Sequence, residues 1–206
     1  HGISPFNADT GEVCSTSGNY SKIFGNKMVE MAEKDKNIFA ICAGMIKGTG
    51  LSEFFKKFPE RAFDVGIAEE HAVTFAGGMA VSGAKPVVAL YSTFLQRGYD
   101  QLIHDIALQN LKVTFIVDRA GIVGEDGATH NGVFDLSYLL HIPNFTVIAP
   151  TTASEFERAI EYGLNESQGP VAIRIPRNEC YETEKPLEFR YGKWNEIKKG
   201  SKKLII

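Results

Sequence analysis

Six short apolar runs, each separated from the next by a segment of helical spacing, constrain this chain more than any other feature. They cover residues 38–43, 62–65, 86–91, 113–117, 145–149 and 171–175. Most are continuous in Val, Ile, Ala and Phe instead of alternating, which is how strands buried on both faces read. Residues 20–33, 51–58, 68–82, 93–109, 134–140 and 154–164 place apolar side chains at helical spacing. Pro59 ends the second of these segments and Gly83 closes the third. The alternation predicts an α/β chain, a three-layer α/β/α arrangement with a mostly parallel central sheet of five or six strands.

Length and composition agree with that architecture. At 206 residues and 44% hydrophobic content the chain has enough apolar surface for a full core. Its net charge of -3 argues against a nucleic-acid or membrane surface. No apolar run approaches the length of a membrane span. Cys14, Cys42 and Cys180 are odd in number and lack a CxxC pair, so they read as reduced thiols in a cytoplasmic protein.

The pattern fails at both ends. Residues 1–18 are rich in Gly, Ser, Thr and Asn and read as a linker or arm. Residues 19–178 carry the regular alternation. Residues 179–206 read as a charged linker followed by the opening of another domain, because 203–206 resembles half a strand. His1 in place of Met fits an internal piece of a longer chain.

Several residues cluster where strands are predicted to end, the edge at which open α/β sheets bind ligands. Glu69 opens the helix after the second strand. It reads either as an acid favourable to the first helical turn or as a carboxylate that holds a proton. His71, in the same turn, reads as a core-edge histidine in preference to a ligand-facing one. Tyr91 ends the third strand and Phe94 follows it, as core aromatics or as a platform for a flat heterocycle. Arg97 lies one turn beyond Phe94, and its simplest reading is a surface ion pair. The segment 118–131 is long and holds Arg119, Glu125, Asp126 and His130 among three glycines. Arg119 and Arg177 each follow a strand, and two guanidiniums on one edge suit a phosphate or carboxylate. GxGxxG and Walker loops are absent. Asp126 and His130 lack a third partner for a metal, so no metal site is predicted.

Residues 64–71, 91–109 and 118–135, with 47–51 and Pro176-Arg177, closely resemble the 1-deoxy-D-xylulose-5-phosphate synthases. These are thiamine-diphosphate enzymes of the transketolase superfamily. The resemblance implies the thiamin-diphosphate-binding fold of the pyrimidine domain. It also implies an enzyme that condenses pyruvate with glyceraldehyde 3-phosphate and releases CO2. The cofactors implied are thiamine diphosphate and Mg²⁺, held in part by an N-terminal domain that this chain lacks. The C-terminal domain is also lacking, a homodimer is implied, and the fragment alone is expected to bind no cofactor tightly and to be inactive. By the same resemblance Glu69 contacts the pyrimidine N1′, Phe94 stacks on that ring, and Tyr91 and Arg97 line the cofactor site. Arg119 and Arg177 hold the substrate phosphate, while Asp126 and His130 stand beside the reacting carbons. Two residues depart from the usual pattern: Glu70 replaces Gln, and Asn178 replaces the Gly of Pro-Arg-Gly. The remaining alternatives are a sugar transketolase, a 2-oxo acid dehydrogenase β-subunit, or a non-catalytic assembly module.

Overall fold

A computed structural model describes residues 10, 19–180 and 189–193. The N-terminal arm, apart from Thr10, and the strand expected at 203–206 lie outside the described residues, as does Cys14. One six-stranded sheet organises the rest. Its strands are β1 (Ile38–Cys42), β2 (Ala62–Asp64), β3 (Lys85–Tyr91), β4 (Thr114–Asp118), β5 (Thr146–Ile148) and β6 (Val171–Arg174). The order is β2-β1-β3-β4-β6-β5 and every pairing is parallel. All six predicted strands are present. The two edge strands have three residues each and are only half-buried, whereas β4 is buried throughout. Short edges limit the unpaired backbone that a sheet presents to other chains.

Helices cover both faces. α1 (Tyr20–Lys34), α2 (Ser52–Lys57) and α7 (Ala153–Asn165) carry Phe24, Met28, Phe54, Phe156 and Ile160 onto Ile38, Ala40, Val87, Ile116 and Ile173. α3 (Glu69–Val81) and α6 (Asp135–Leu139) lie on the opposite face with the helical run 92–107. There Ala72, Val73, Leu102, Ile106 and Leu139 pack on Ile41, Val88, Leu90, Phe115 and Ala172. Side chains alternate between faces along each strand, so both layers are filled from one set of apolar runs.

Two helices start at side-chain caps. The Asn19 carboxamide accepts from the Lys22 N–H at 2.8 Å, and the Thr152 hydroxyl accepts from the Glu155 N–H at 3.2 Å. The helix expected over 93–109 is instead subdivided. α4 (Ser92–Leu95) passes through a 3₁₀ turn, Gln96–Gly98, into α5 (Tyr99–Gln101), and Leu102–Ala107 then winds as a π-helix. Gly98, a weak helix former, sits at φ -90° and ψ 15°. Leu108 N–H bonds five residues back to the Ile103 carbonyl, at 2.9 Å.

The chain places β2 on one side of β1 and then returns to lay β3 on the other. That reversal opens a crevice at the carboxyl ends of β1 and β3. The turn 44–50 lies over this end, close against α1. Gly50 has φ +85°, and a Cβ there would lie 2.0 Å from the Ser21 carbonyl oxygen. Only glycine permits that approach.

Candidate active site

Parallel register sets the frame of the site. Tyr91 and Asp118 are paired at the last rung of β3 and β4. Glu69 begins α3 just beyond β2, and Arg177 follows β6. All of them emerge on one edge of the sheet.

Glu69 is buried, with 2% of its surface exposed. It does not cap its helix by side-chain bonding, since Ala68 is the N-cap and makes no such bond. Instead Oε1 accepts from Arg97 Nη1 at 3.2 Å, while Oε2 has no hydrogen-bond partner. A buried carboxylate oxygen left unbonded costs free energy, so it is a place to look for function. Glu70 is exposed and so turns away from Glu69. His71 is also exposed, stacked on Phe75 with ring centroids 5.8 Å apart, which corrects the core-edge expectation.

Arg97 continues the chain of contacts. Its guanidinium lies 5.3 Å from the Phe94 centroid. Phe94 stacks on Tyr91 at 5.5 Å with an interplanar angle of 11°, and meets His130 edge-on at 5.4 Å. Beyond Tyr91 the Arg119 guanidinium covers the ring at 4.1 Å. Burial pushes the Tyr91 phenol up to about 12.

The 118–131 segment forms two 3₁₀ turns, Gly124–Asp126 and Ala128–His130, within an otherwise irregular path. Its base is closed by Gly121 and Gly132, whose N–H groups each bond the other's carbonyl at 2.7 and 2.8 Å. Gly132 is required there, because a Cβ would stand 2.4 Å from the Arg119 carbonyl oxygen and 2.5 Å from Ser92 Oγ. Asp126 then lies between two guanidiniums. Its Oδ2 is 3.6 Å from Arg119 Nε and 3.1 Å from Arg177 Nε, both ionic contacts without hydrogen-bond alignment. Glu125 holds Arg177 Nη1 at 2.9 Å from an exposed position.

The eight residues singled out from the sequence therefore form one continuous set of contacts. It runs from Glu69 through Arg97, Phe94, Tyr91, Arg119 and Asp126 to Arg177, with His130 on Phe94. Sequence reasoning missed Asp118, Ser21 and the Gly48 carbonyl, all of which bond to one another or to Arg119. It also missed the pair of Arg174 with the buried Asp135, in which Nε lies 2.8 Å from Oδ2. A charged residue at the end of an apolar run is the one signal that pointed to Asp118. Among the described residues no group of three His, Cys, Asp or Glu stands together as metal ligands. No described helix is long and apolar enough to cross a membrane.

The model of the transketolase pyrimidine-binding domain matches residues 17–182. This chain belongs to that family. The 1-deoxy-D-xylulose-5-phosphate synthase of Fusobacterium nucleatum is 55% identical to this chain over all of the chain's length, and that of Clostridium kluyveri is 56% identical. The chain spans about a third of those relatives, 34% and 33% of their lengths. A split-gene transketolase described as an inactive β4 tetramer superposes with a TM-score of 0.73 at 30% identity. The match covers 86% of this chain and 58% of that one. A Pichia stipitis transketolase in complex with sedoheptulose 7-phosphate also gives 0.73, at 16% identity over 88% of this chain and 28% of its own. That last likeness concerns the fold alone.

Proposed function

We propose that this chain is the pyrimidine-binding part of a 1-deoxy-D-xylulose-5-phosphate synthase. The whole enzyme joins pyruvate to glyceraldehyde 3-phosphate with loss of CO2, in the cytoplasm and as a homodimer. Identity above 50% to such synthases over the full chain supports the reading. The observation that carries it is Glu69 Oε2, buried and without a partner, one arginine away from the Tyr91–Phe94 stack. An acceptor beside flat aromatic surface fits the aminopyrimidine of thiamine diphosphate. When bound, that cofactor supplies a carbon nucleophile and an electron sink. In this reading the diphosphate and its Mg²⁺ are held by parts of the enzyme outside this chain.

Each residue of the set has a task in this reading. Glu69 holds a proton at the ring nitrogen N1′ through its carboxylate. Tyr91 and Phe94 position the ring and keep water from its face. Arg97 balances the charge of Glu69 and supports the charge that develops at the reacting carbons. Arg119 and Arg177 receive the phosphate of glyceraldehyde 3-phosphate. Asp126 and His130 orient the acceptor carbonyl and move its proton. The inactive tetramer of the split-gene transketolase supports inactivity of the isolated chain.

Glu69→Gln in the full-length enzyme tests the central assignment. Turnover of pyruvate with thiamine diphosphate and Mg²⁺ should fall by more than about 100-fold. The melting temperature should stay within about 3 °C, because the lost pair involves a half-exposed arginine. A folded variant with near-normal turnover refutes the role. The 206-residue chain alone should show no micromolar binding of thiamine diphosphate by calorimetry, and such binding would refute the division of the site between chain segments.

A further inference from the structure

We propose that Asp118 is a positioning residue that sets Arg119 as the receptor of the substrate phosphate, with Ser21 as its support from α1. This rests on the function proposed above and adds two residues to it. Asp118 is the last residue of β4 and only 2% of its surface is exposed. Burial pushes its carboxyl above the ordinary range, against the pull of Arg119. A carboxylate kept at a dry strand end needs a reason, because an apolar residue would seat there without that cost. The reason visible in the geometry is Arg119. Asp118 Oδ1 accepts the Arg119 backbone N–H at 2.7 Å, and Oδ2 accepts Arg119 Nη1 at 2.6 Å. The Ser21 hydroxyl donates to the same Oδ2 at 3.3 Å.

These bonds favour a conformation that Arg119 would not adopt unaided. Its φ is +55°, in the left-handed region that bulky residues avoid. With both its backbone N–H and its guanidinium drawn to one carboxylate, the side chain folds back over its own strand end. There it lies on the Tyr91 ring at 4.1 Å and donates from Nη1 to the Gly48 carbonyl at 3.1 Å. The Arg119 Nε is left without a hydrogen bond and faces Asp126 Oδ2 at 3.6 Å. Asp118 thus occupies one end of the guanidinium and leaves another donor directed at the place between Arg119 and Arg177. A receptor held in this way loses little side-chain freedom when the anion arrives.

The test is acceptor discrimination in the full-length enzyme. Glyceraldehyde 3-phosphate and D-glyceraldehyde differ in the phosphate alone. Asp118→Asn should raise the KM for the phosphorylated acceptor about tenfold and lower the ratio of the two kcat/KM values by a similar factor. The KM for pyruvate should change less than twofold. Ser21→Ala, a milder change on a half-exposed residue, should lower the same ratio two- to threefold and serves if Asp118→Asn does not fold. A purely structural role would depress both acceptors equally and leave the ratio unchanged, which overturns the proposal. A wild-type enzyme that condenses neither acceptor with pyruvate overturns the function itself, and so is told apart from failure of the Asp118 assignment.

Discussion

Asp135→Ala should unfold this chain more readily than any single change at its surface. Asp135 is the first residue of α6 and is fully buried. Its carboxylate takes Arg174 Nε at 2.8 Å and Nη2 at 3.3 Å, tying α6 to the last residue of β6. Truncation leaves the guanidinium enclosed without a counter-charge. Breaking a buried pair from one side costs about 3–5 kcal/mol. Arg174 retains 19% exposure, so it can recover some hydration, and the lower end, about 3 kcal/mol, is expected. In a domain of this size each kcal/mol moves the melting temperature by about 2–4 °C, which gives a drop of about 6–12 °C. Circular dichroism melts of the 206-residue chain read this directly. The double change Asp135→Leu with Arg174→Met removes both charges and should recover at least half of the loss. A drop under about 2 °C for Asp135→Ala, or a double variant no better than the single ones, would show that the pair carries no such weight.

Other outcomes follow from burial and charge. Cys42 is buried and its thiol is pushed up to about 12, by desolvation first and by the Asp64 charge second. Iodoacetamide at pH 8 should therefore leave Cys42 unmodified in the folded chain and modify it in urea. Rapid native labelling would contradict its burial. The Lys85 hydrogen bond, with the Asn37 N–H, holds the Asp35 carboxyl below its usual range. A depressed carboxyl stabilises the fold above its unfolded value, about 4, and the gain disappears as pH falls through the lowered one. Thermal melts should show part of the loss on acidification below pH 4 disappearing in Asp35→Asn. An unchanged pH profile refutes that contribution.

The inner strands were legible because burial on both faces leaves an unbroken apolar signature, and the half-buried edge strands β2 and β5 were found by their place in the same alternation, so that all six runs form strands of the sheet. The helical run 92–107 was legible as helix but its subdivision was not, since a change from α to π winding alters which carbonyl each N–H meets and barely alters side-chain periodicity. The site was legible as a set of residues and not as a network. Glu69 and Arg97 are 28 positions apart, and only the folded sheet edge brings Nη1 to the carboxylate. The choice between helix stabilisation and chemistry for Glu69 was open in the sequence because both want an acid in a first helical turn. What the structure adds is an oxygen that serves no partner. Asp118 escaped notice because it marks the boundary between strand and loop, where charged residues are ordinary.

Asp126 makes the two-arginine region a place of ion exchange. It rests between Arg119 and Arg177 already, so under the function proposed above an arriving phosphate would compete with a resident carboxylate for the same two guanidiniums. Affinity there measures a contest between ligand and loop, with the covalently attached competitor always present at high effective concentration. A dianion outbids a monoanion under those terms.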